Sequence, residues 1–278
     1  MLPFWVSIAV LSLVQALTVA LPGTGAITAL QRWRSVSRLS GRWWALIPPG
    51  SVVLFVAVGS VAANASATFL TYLALCGVPV GAALALGWLS RSSRPIAALA
   101  VVPLMALAWA DGGGLAGQAA AVALTALSCV ALGAIFAAIT PPRWLMAGII
   151  AMAAVDIALV ASELLQKPNN ALNVAHPAAK LPRLQAELFG SAAMGYGDLF
   201  VAALLGGLLA ATADAGRQRR VALLVAVLAL ASDLLFFFVR ELPATAPVAL
   251  ALVLMLVAQR AGTRGGRARS GLASPDTA

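Results

Sequence analysis

Long apolar segments alternate with short polar ones along the whole chain. Nine of them approach or exceed the length needed to cross about 30 Å of hydrocarbon as a helix, the fourth and ninth being the shortest. The predicted spans are residues 4–21, 44–62, 67–89, 95–110, 115–139, 144–165, 189–213, 221–239 and 243–258. The pattern therefore predicts an all-α membrane protein with about nine transmembrane helices.

The polar segments divide the chain into four parts. Residues 1–142 hold the first five spans, residues 143–214 hold spans six and seven with a polar loop at 166–188, and residues 215–259 hold the last two spans. Residues 260–278 are rich in Gly, Arg and Ser, which predicts a disordered basic tail resting on anionic lipid. No basic residue precedes the first span, so we expect a retained helix rather than a cleaved signal.

Composition excludes a soluble globular protein, because 62% of the residues are hydrophobic and only 10% are charged. The net charge of +9 does not indicate nucleic-acid binding, since the basic residues lie between the apolar segments. Fourteen of the 18 Lys and Arg fall in alternate polar segments. The positive-inside rule then predicts an external N-terminus and a cytoplasmic C-terminus. We expect a multi-pass protein of a prokaryotic plasma membrane.

Metal and cofactor chemistry has no candidate residues in this sequence. Cys76 and Cys129 both lie in apolar segments, which is typical of packing residues. His176 is the sole histidine and has no Cys or acidic cluster at metal-ligand spacing. We therefore predict neither a metal nor an organic cofactor.

Two aspartates lie within predicted spans. Asp156 is in span six and Asp198 is in span seven. An isolated carboxylate at the centre of a membrane helix costs roughly 2.5–3.5 kcal/mol on insertion scales, so such residues usually have a function. Each aspartate is nine residues from the outer end of its predicted span, which as a helix places both about 14 Å below one face.

Two carboxyls at one depth predict acid–base chemistry. In low dielectric a close pair holds one proton between them and titrates as a unit. The ionised member can deprotonate a water while the protonated member polarises a peptide carbonyl. Gly195 and Gly197 flank Tyr196 just before Asp198, and without Cβ atoms they allow close approach of a substrate. Gly206 and Gly207 predict close helix packing instead.

Three motifs in order resemble the presenilin and signal peptide peptidase family of intramembrane aspartyl proteases. Val155-Asp156 stands where the family usually has Tyr-Asp, and residues 195–198 match its Gly-x-Gly-Asp. Residues 242–247, Leu-Pro-Ala-Thr-Ala-Pro, are similar to a degenerate Pro-Ala-Leu motif. Thr245 replaces the expected leucine. The motifs cover about residues 144–250, and the preceding part agrees only in its number of spans.

The resemblance implies a presenilin-like helical bundle in which Asp156 and Asp198 are the catalytic pair. It implies that Pro243, Ala244 and Thr245 help to position the substrate, together with residues 195–197. The predicted orientation, with an external N-terminus, resembles that of signal peptide peptidase, whereas presenilin has the opposite orientation. Preferred substrates would then be type II transmembrane segments, such as remnant signal peptides.

Three other functions use similar residues. Prepilin peptidases share Gly-x-Gly-Asp, but residues 157–165 lack the Ile-Pro-type segment that follows their first aspartate. A proton-coupled transporter would use buried carboxylates, and Asp233 in span eight supplies a third. Residues 195–198 also match the Gly-Tyr-Gly-Asp sequence of a potassium-channel selectivity filter. Only about fifteen residues follow Asp198 before the basic turn, too few for a loop and an inner helix.

Overall fold

The computed structural model describes residues 2–32, 40–178, 181–239 and 241–270, with no side-chain description for 262–270. Arg34, Arg38, Lys180 and Arg240 contributed to the predicted topology and lie outside the described residues. Residues 271–278 of the predicted tail also lie outside them.

The first half of the chain is helical. Its described residues form six helices: α1 Phe4–Ala20, α2 Thr24–Arg32, α3 Ile47–Val61, α4 Ala63–Leu84, α5 Val101–Ala110 and α6 Leu115–Ile139. Short 3₁₀ segments precede α3 at Arg42–Leu46 and α5 at Pro95–Ala100, and a π turn at Ala85–Leu89 extends α4. Pro48 and Pro49 lie in the first turn of α3, where the missing N–H of proline costs nothing.

In the second half, the part of the chain that the structure describes contains five helices and one hairpin. Its elements are α7 Pro142–Ala161, α8 Gln166–Val174, β1 Ala186–Phe189, β2 Ala192–Gly195, α9 Tyr196–Thr212, α10 Ala215–Asp233 and α11 Ala246–Ser270. A 3₁₀ turn at Leu234–Phe237 extends α10. The predicted polar loop 166–188 thus contains α8 and the start of β1. The helix α11 continues to Ser270, within the segment for which the sequence predicted disorder.

Five of the described helical segments are long and apolar enough to cross a membrane, which makes this an all-α membrane protein. They are Arg42–Val61, Ala63–Leu89, Leu115–Ile139, Pro142–Ala161 and Ala215–Phe237. Four further apolar helices are shorter, at 10–17 residues: Phe4–Ala20, Pro95–Ala110, Tyr196–Thr212 and Ala246–Ala261. By length and composition the described chain therefore has five candidate spans, against the nine that the sequence pattern predicts.

The core lies around α9, in which every residue from Leu199 to Ala210 is buried. It packs between α6 and α1. A Cβ on Gly206 would lie 2.7 Å from the Val19 backbone oxygen, and one on Gly207 would overlap the backbone of Gly133 on α6. Such distances exclude any side chain, so the predicted close packing at Gly206 and Gly207 is confirmed.

A β-hairpin precedes α9, where the sequence predicts a helix from Phe189 onward. Glu187 lies opposite Met194 in its register, and Phe189 lies opposite Ala192. Gly190 in the turn has a φ of 61°, which favours glycine. Its N–H donates to Gln118 Oε1 on α6 at 2.7 Å, and the Ser191 N–H donates to Ser7 Oγ on α1. The hairpin is therefore held against the two helices that flank α9.

Candidate functional site

Asp156 and Asp198 lie on two helices that pack directly against each other, α7 and α9. Asp156 is five residues before the end of α7, whereas Asp198 is in the first turn of α9. The predicted depth of Asp198 is wrong, because it assumed a helix between Phe189 and Asp198 where the chain forms a hairpin. Both side chains are half-buried, and the charge of Asp156 acts on the Asp198 carboxyl.

Thr245 holds the Asp156 carboxyl. Its hydroxyl donates to Asp156 Oδ2 at 2.6 Å, and its backbone N–H also faces the carboxyl. The Thr245 side chain is 2% exposed, so this contact is shielded from solvent. A leucine at this position, which the family motif leads one to expect, could not make the hydroxyl contact. Thr245 is therefore in direct contact with one of the two aspartates.

Asp198 is held by its own segment of chain. Its Oδ2 accepts the backbone N–H of Gly195, three residues earlier, at 3.1 Å. Gly195 is the N-cap of α9, and the contact is the half of a capping box in which an acidic residue at N3 reaches back to the cap. A Cβ on Gly195 would lie 3.2 Å from the same Oδ2, tighter than most side-chain contacts.

Gln15 of α1 joins the two motifs at the back of the site. Its side-chain amide donates to the Ala244 backbone oxygen at 2.7 Å and to the Asp198 backbone oxygen at 3.4 Å. Gln15 is 1% exposed. Because one amide bonds both carbonyls, α1 fixes the position of the Pro-Ala-Leu-like segment relative to the first turn of α9. Gln15 was not among the predicted site residues, although a polar residue within an apolar segment is a signal that could have identified it.

Tyr196 and Gly197 complete the Gly-x-Gly-Asp segment. The Tyr196 hydroxyl hydrogen-bonds Ser128 Oγ of α6 at 3.1 Å. Gly197 faces α7, where its Cβ would lie 3.5 Å from the Met152 Cε, an ordinary contact. The preceding hairpin occupies the place of a channel's pore helix, so this segment is unlike a potassium-channel filter.

Pro243 and Ala244 form the entry to α11. The Pro243 backbone oxygen accepts the Ala246 N–H at 3.0 Å, and the Thr245 oxygen accepts the Ala249 N–H at 3.1 Å. Pro243 and Ala244 are half-buried beside the buried Thr245. The structure thus places Thr245 on Asp156 and Ala244 next to Gln15, while Pro243 turns the chain into the helix.

Asp233 and Glu187 are two further acids with buried or half-buried side chains, outside this pair. Asp233 Oδ2 accepts the hydroxyl of the buried Ser12 at 2.8 Å, a polar contact between α10 and α1. Glu187 in β1 is 1% exposed, and burial raises its pKa well above the usual range. The sequence analysis missed Glu187 because the polar loop that contains it indicated a solvated position.

No group of three metal-ligating side chains suited to a metal ion occurs in the part of the chain that the structure describes. His176 is exposed in the loop after α8. Protein-family models, curated proteins and solved structures were each compared with this chain, and none of the three comparisons found a match.

Proposed function

We propose that this protein is an intramembrane aspartyl endopeptidase with Asp156 and Asp198 as its catalytic pair. One observation carries the proposal: the two carboxyls lie on apolar helices that pack against each other, and a buried hydroxyl from a third segment bonds one of them. Carboxyls within apolar helices are costly, and two that interact have the arrangement that acid–base hydrolysis requires.

The pair would work with one proton and one negative charge. The ionised carboxyl takes a proton from water, and the water oxygen attacks the carbonyl carbon of the scissile peptide. The protonated carboxyl donates its proton to the carbonyl oxygen, which gives a neutral gem-diol. The carboxyl that took a proton from water then donates it to the leaving nitrogen, and the C–N bond breaks. One gem-diol hydroxyl gives its proton to the other carboxylate as the product carboxylic acid forms, which restores the pair to its starting state. No cofactor enters this cycle.

The same proposal includes the number of transmembrane helices, their orientation in the membrane and the class of substrate. Nine transmembrane helices in a presenilin-like and signal peptide peptidase-like bundle would combine the five long and the four shorter apolar helices. The 14 basic residues in alternate polar segments support an external N-terminus and a cytoplasmic C-terminus in a prokaryotic plasma membrane. Substrates would be transmembrane peptides of type II orientation, positioned by residues 195–197 and 243–245.

Cleavage of a membrane-spanning peptide tests the proposal. We expect the purified full-length protein in nanodiscs to cleave a type II peptide carrying a fluorophore and quencher across its span. A transition-state analogue of aspartyl proteases should stop the reaction, and a metal chelator should not. Cleavage that resists the analogue, or no cleavage of type II and type I peptides alike, would contradict the proposal.

A proton-coupled transporter is the second candidate, because Asp233 adds a third acid within the apolar helices, joined to α1 through Ser12. A prepilin-peptidase-like protease would use the same pair on a different substrate. Proteoliposomes with an internal pH dye separate the classes: substrate-dependent proton uptake supports a transporter, and cleavage without uptake supports a protease. Cleavage of a prepilin leader in preference to the type II span would select the prepilin-like protease.

A further inference from the structure

A cavity of about 150 Å³ lies between α7, α9 and α11, beside the start of α10. Most of its lining is apolar and comes from three helices: Met146 of α7, Leu208 and Leu209 of α9, and Met255 and Leu256 of α11. An apolar cavity of about this volume can hold a molecule as large as benzene. A segment of an acyl chain therefore fits between these walls.

Arg217 makes one end of this cavity cationic. Its side chain is half-buried, and it is the only charged one among the described residues that line the cavity. Arg219 and Arg220 follow it on α10 and are exposed. The acid of this segment is the exposed Asp214, whose Oδ1 accepts the Arg217 backbone N–H at 2.7 Å as the N-cap of α10. Three arginines against one aspartate leave the start of α10 positively charged.

We propose that this cavity binds one anionic phospholipid, with an acyl chain between the apolar walls and the phosphate on the Arg217 guanidinium. Arginine binds phosphate through two parallel N–H donors, and basic pockets between membrane helices hold lipid head groups. A free phosphate has no apolar part to cover Met255 and Leu256. A zwitterionic lipid carries a cationic group that the neighbouring arginines repel. An anionic phospholipid matches both the apolar and the cationic part of the cavity.

The lipid contacts the same helices that carry the candidate site, but at a distance from the aspartates. Met146 is ten residues before Asp156 on α7, and Met255 is ten residues after Thr245 at the entry to α11. At 1.5 Å per residue, the cavity is about 15 Å along each helix from the site. A lipid bound there stabilises the packing of α7, α9 and α11, because a ligand that binds only the folded state stabilises that state.

Native mass spectrometry of the full-length protein in detergent, titrated with phosphatidylglycerol or phosphatidylcholine, tests the site. We expect one phosphatidylglycerol to bind at least about tenfold more tightly than phosphatidylcholine. Arg217→Gln should lower the affinity for phosphatidylglycerol by about tenfold, since it removes a charge-assisted hydrogen bond. Arg219→Gln is the matched control: it removes the same charge from an exposed residue that does not line the cavity, and affinity should stay within about twofold.

A second variant tests the apolar part of the cavity. Met255→Trp fills the space and keeps every arginine, so it should also lose the bound phosphatidylglycerol. Equal losses in Arg217→Gln and Arg219→Gln would overturn the inference, because the lipid would then be held by surface charge alone. Unchanged binding in Met255→Trp, or glycerol phosphate binding as tightly as the phospholipid, would overturn it too. The measurement uses no peptide, so its result is independent of whether the protein is a protease.

Discussion

The candidate site has an Asp156 side and an Asp198 side, and the two carboxyls are held in place in different ways. Asp156 lies within α7 and receives its hydrogen bond from Thr245, 89 residues further along the chain. Asp198 lies at the start of α9 and receives its hydrogen bond from Gly195, three residues before it. The Asp156 side therefore depends on tertiary packing, and the Asp198 side depends on the local shape of the backbone.

The two aspartates can therefore be perturbed separately, one through a contact between distant segments and the other through a local turn of the backbone. A change at Thr245 leaves the fold of α7 intact but releases Asp156 from its partner. A change at Gly195 acts on the turn that places Asp198, without involving a distant helix. Substitutions on the two sides should consequently affect the same reaction through different measurable quantities.

The largest expected effect comes from the aspartates themselves. Asp156→Asn and Asp198→Asn each remove an acid or base at nearly constant volume, and we expect kcat to fall by roughly 10³-fold or more. Both variants should insert and keep the melting temperature of the wild type within a few degrees. If only one variant loses activity, the site does not work as a pair.

The Asp156 side is tested at Thr245. Thr245→Val keeps the volume and removes the hydroxyl, and hydrogen bonds to charged groups contribute about 1.5–3 kcal/mol. We expect cleavage to fall by about tenfold or more, measured as kcat on the same peptide. Thr245→Ser restores the hydroxyl and should recover most of the activity. Equal losses in both variants would show that the side chain acts by packing.

The Asp198 side is tested at Gly195. An alanine Cβ would lie 3.2 Å from Asp198 Oδ2, so the carboxyl must move by a few tenths of an ångström. We expect Gly195→Ala to lower kcat by about threefold, since small misplacements of reacting groups slow catalysis. Gly77→Ala on α4 is the matched control, because nothing lies within 4 Å of its Cβ and the residue is not part of the proposed site. A loss of activity in Gly77→Ala as large as that in Gly195→Ala would show that the effect does not come from the Asp198 carboxyl.

The smallest effect is expected at Asp233, outside both sides. Asp233→Asn retains an acceptor for the Ser12 hydroxyl and removes the charge. Peptide cleavage should stay within about twofold of the wild type, in keeping with the usual effect of substitutions away from a site. A loss of cleavage comparable to that of the aspartate pair would instead favour proton coupling through Asp233.

The apolar pattern predicted the class of fold and the pair of aspartates, because burial in lipid leaves a clear mark on composition. It failed at the hairpin. Strand residues such as Ala192 and Met194 are as apolar as helix residues, so composition cannot separate the two within a membrane protein. The local signal was Gly190-Ser191, a turn sequence, together with two glycines that disfavour a helix before Asp198.

The contacts that complete the site could not be predicted from the sequence. Gln15 meets Asp198 and Ala244 only because α1 packs against α9, and no spacing along the chain encodes that approach. Thr245 was identified as a departure from a motif, but its partner depended on where α11 begins. Glu187 gave no signal, since a charged residue in a polar loop is normally exposed.

Gln15 also has a consequence for biosynthesis. Its two acceptors are 183 and 229 residues away along the chain, so the hydrogen bonds around the aspartates can form only after residue 245 has been synthesised. During insertion, α7 and α9 enter the membrane before residues 244 and 245 exist to hold them. The nascent chain thus holds both aspartates in an incomplete site until residues 244 and 245 have emerged and can bond to Gln15 and Asp156.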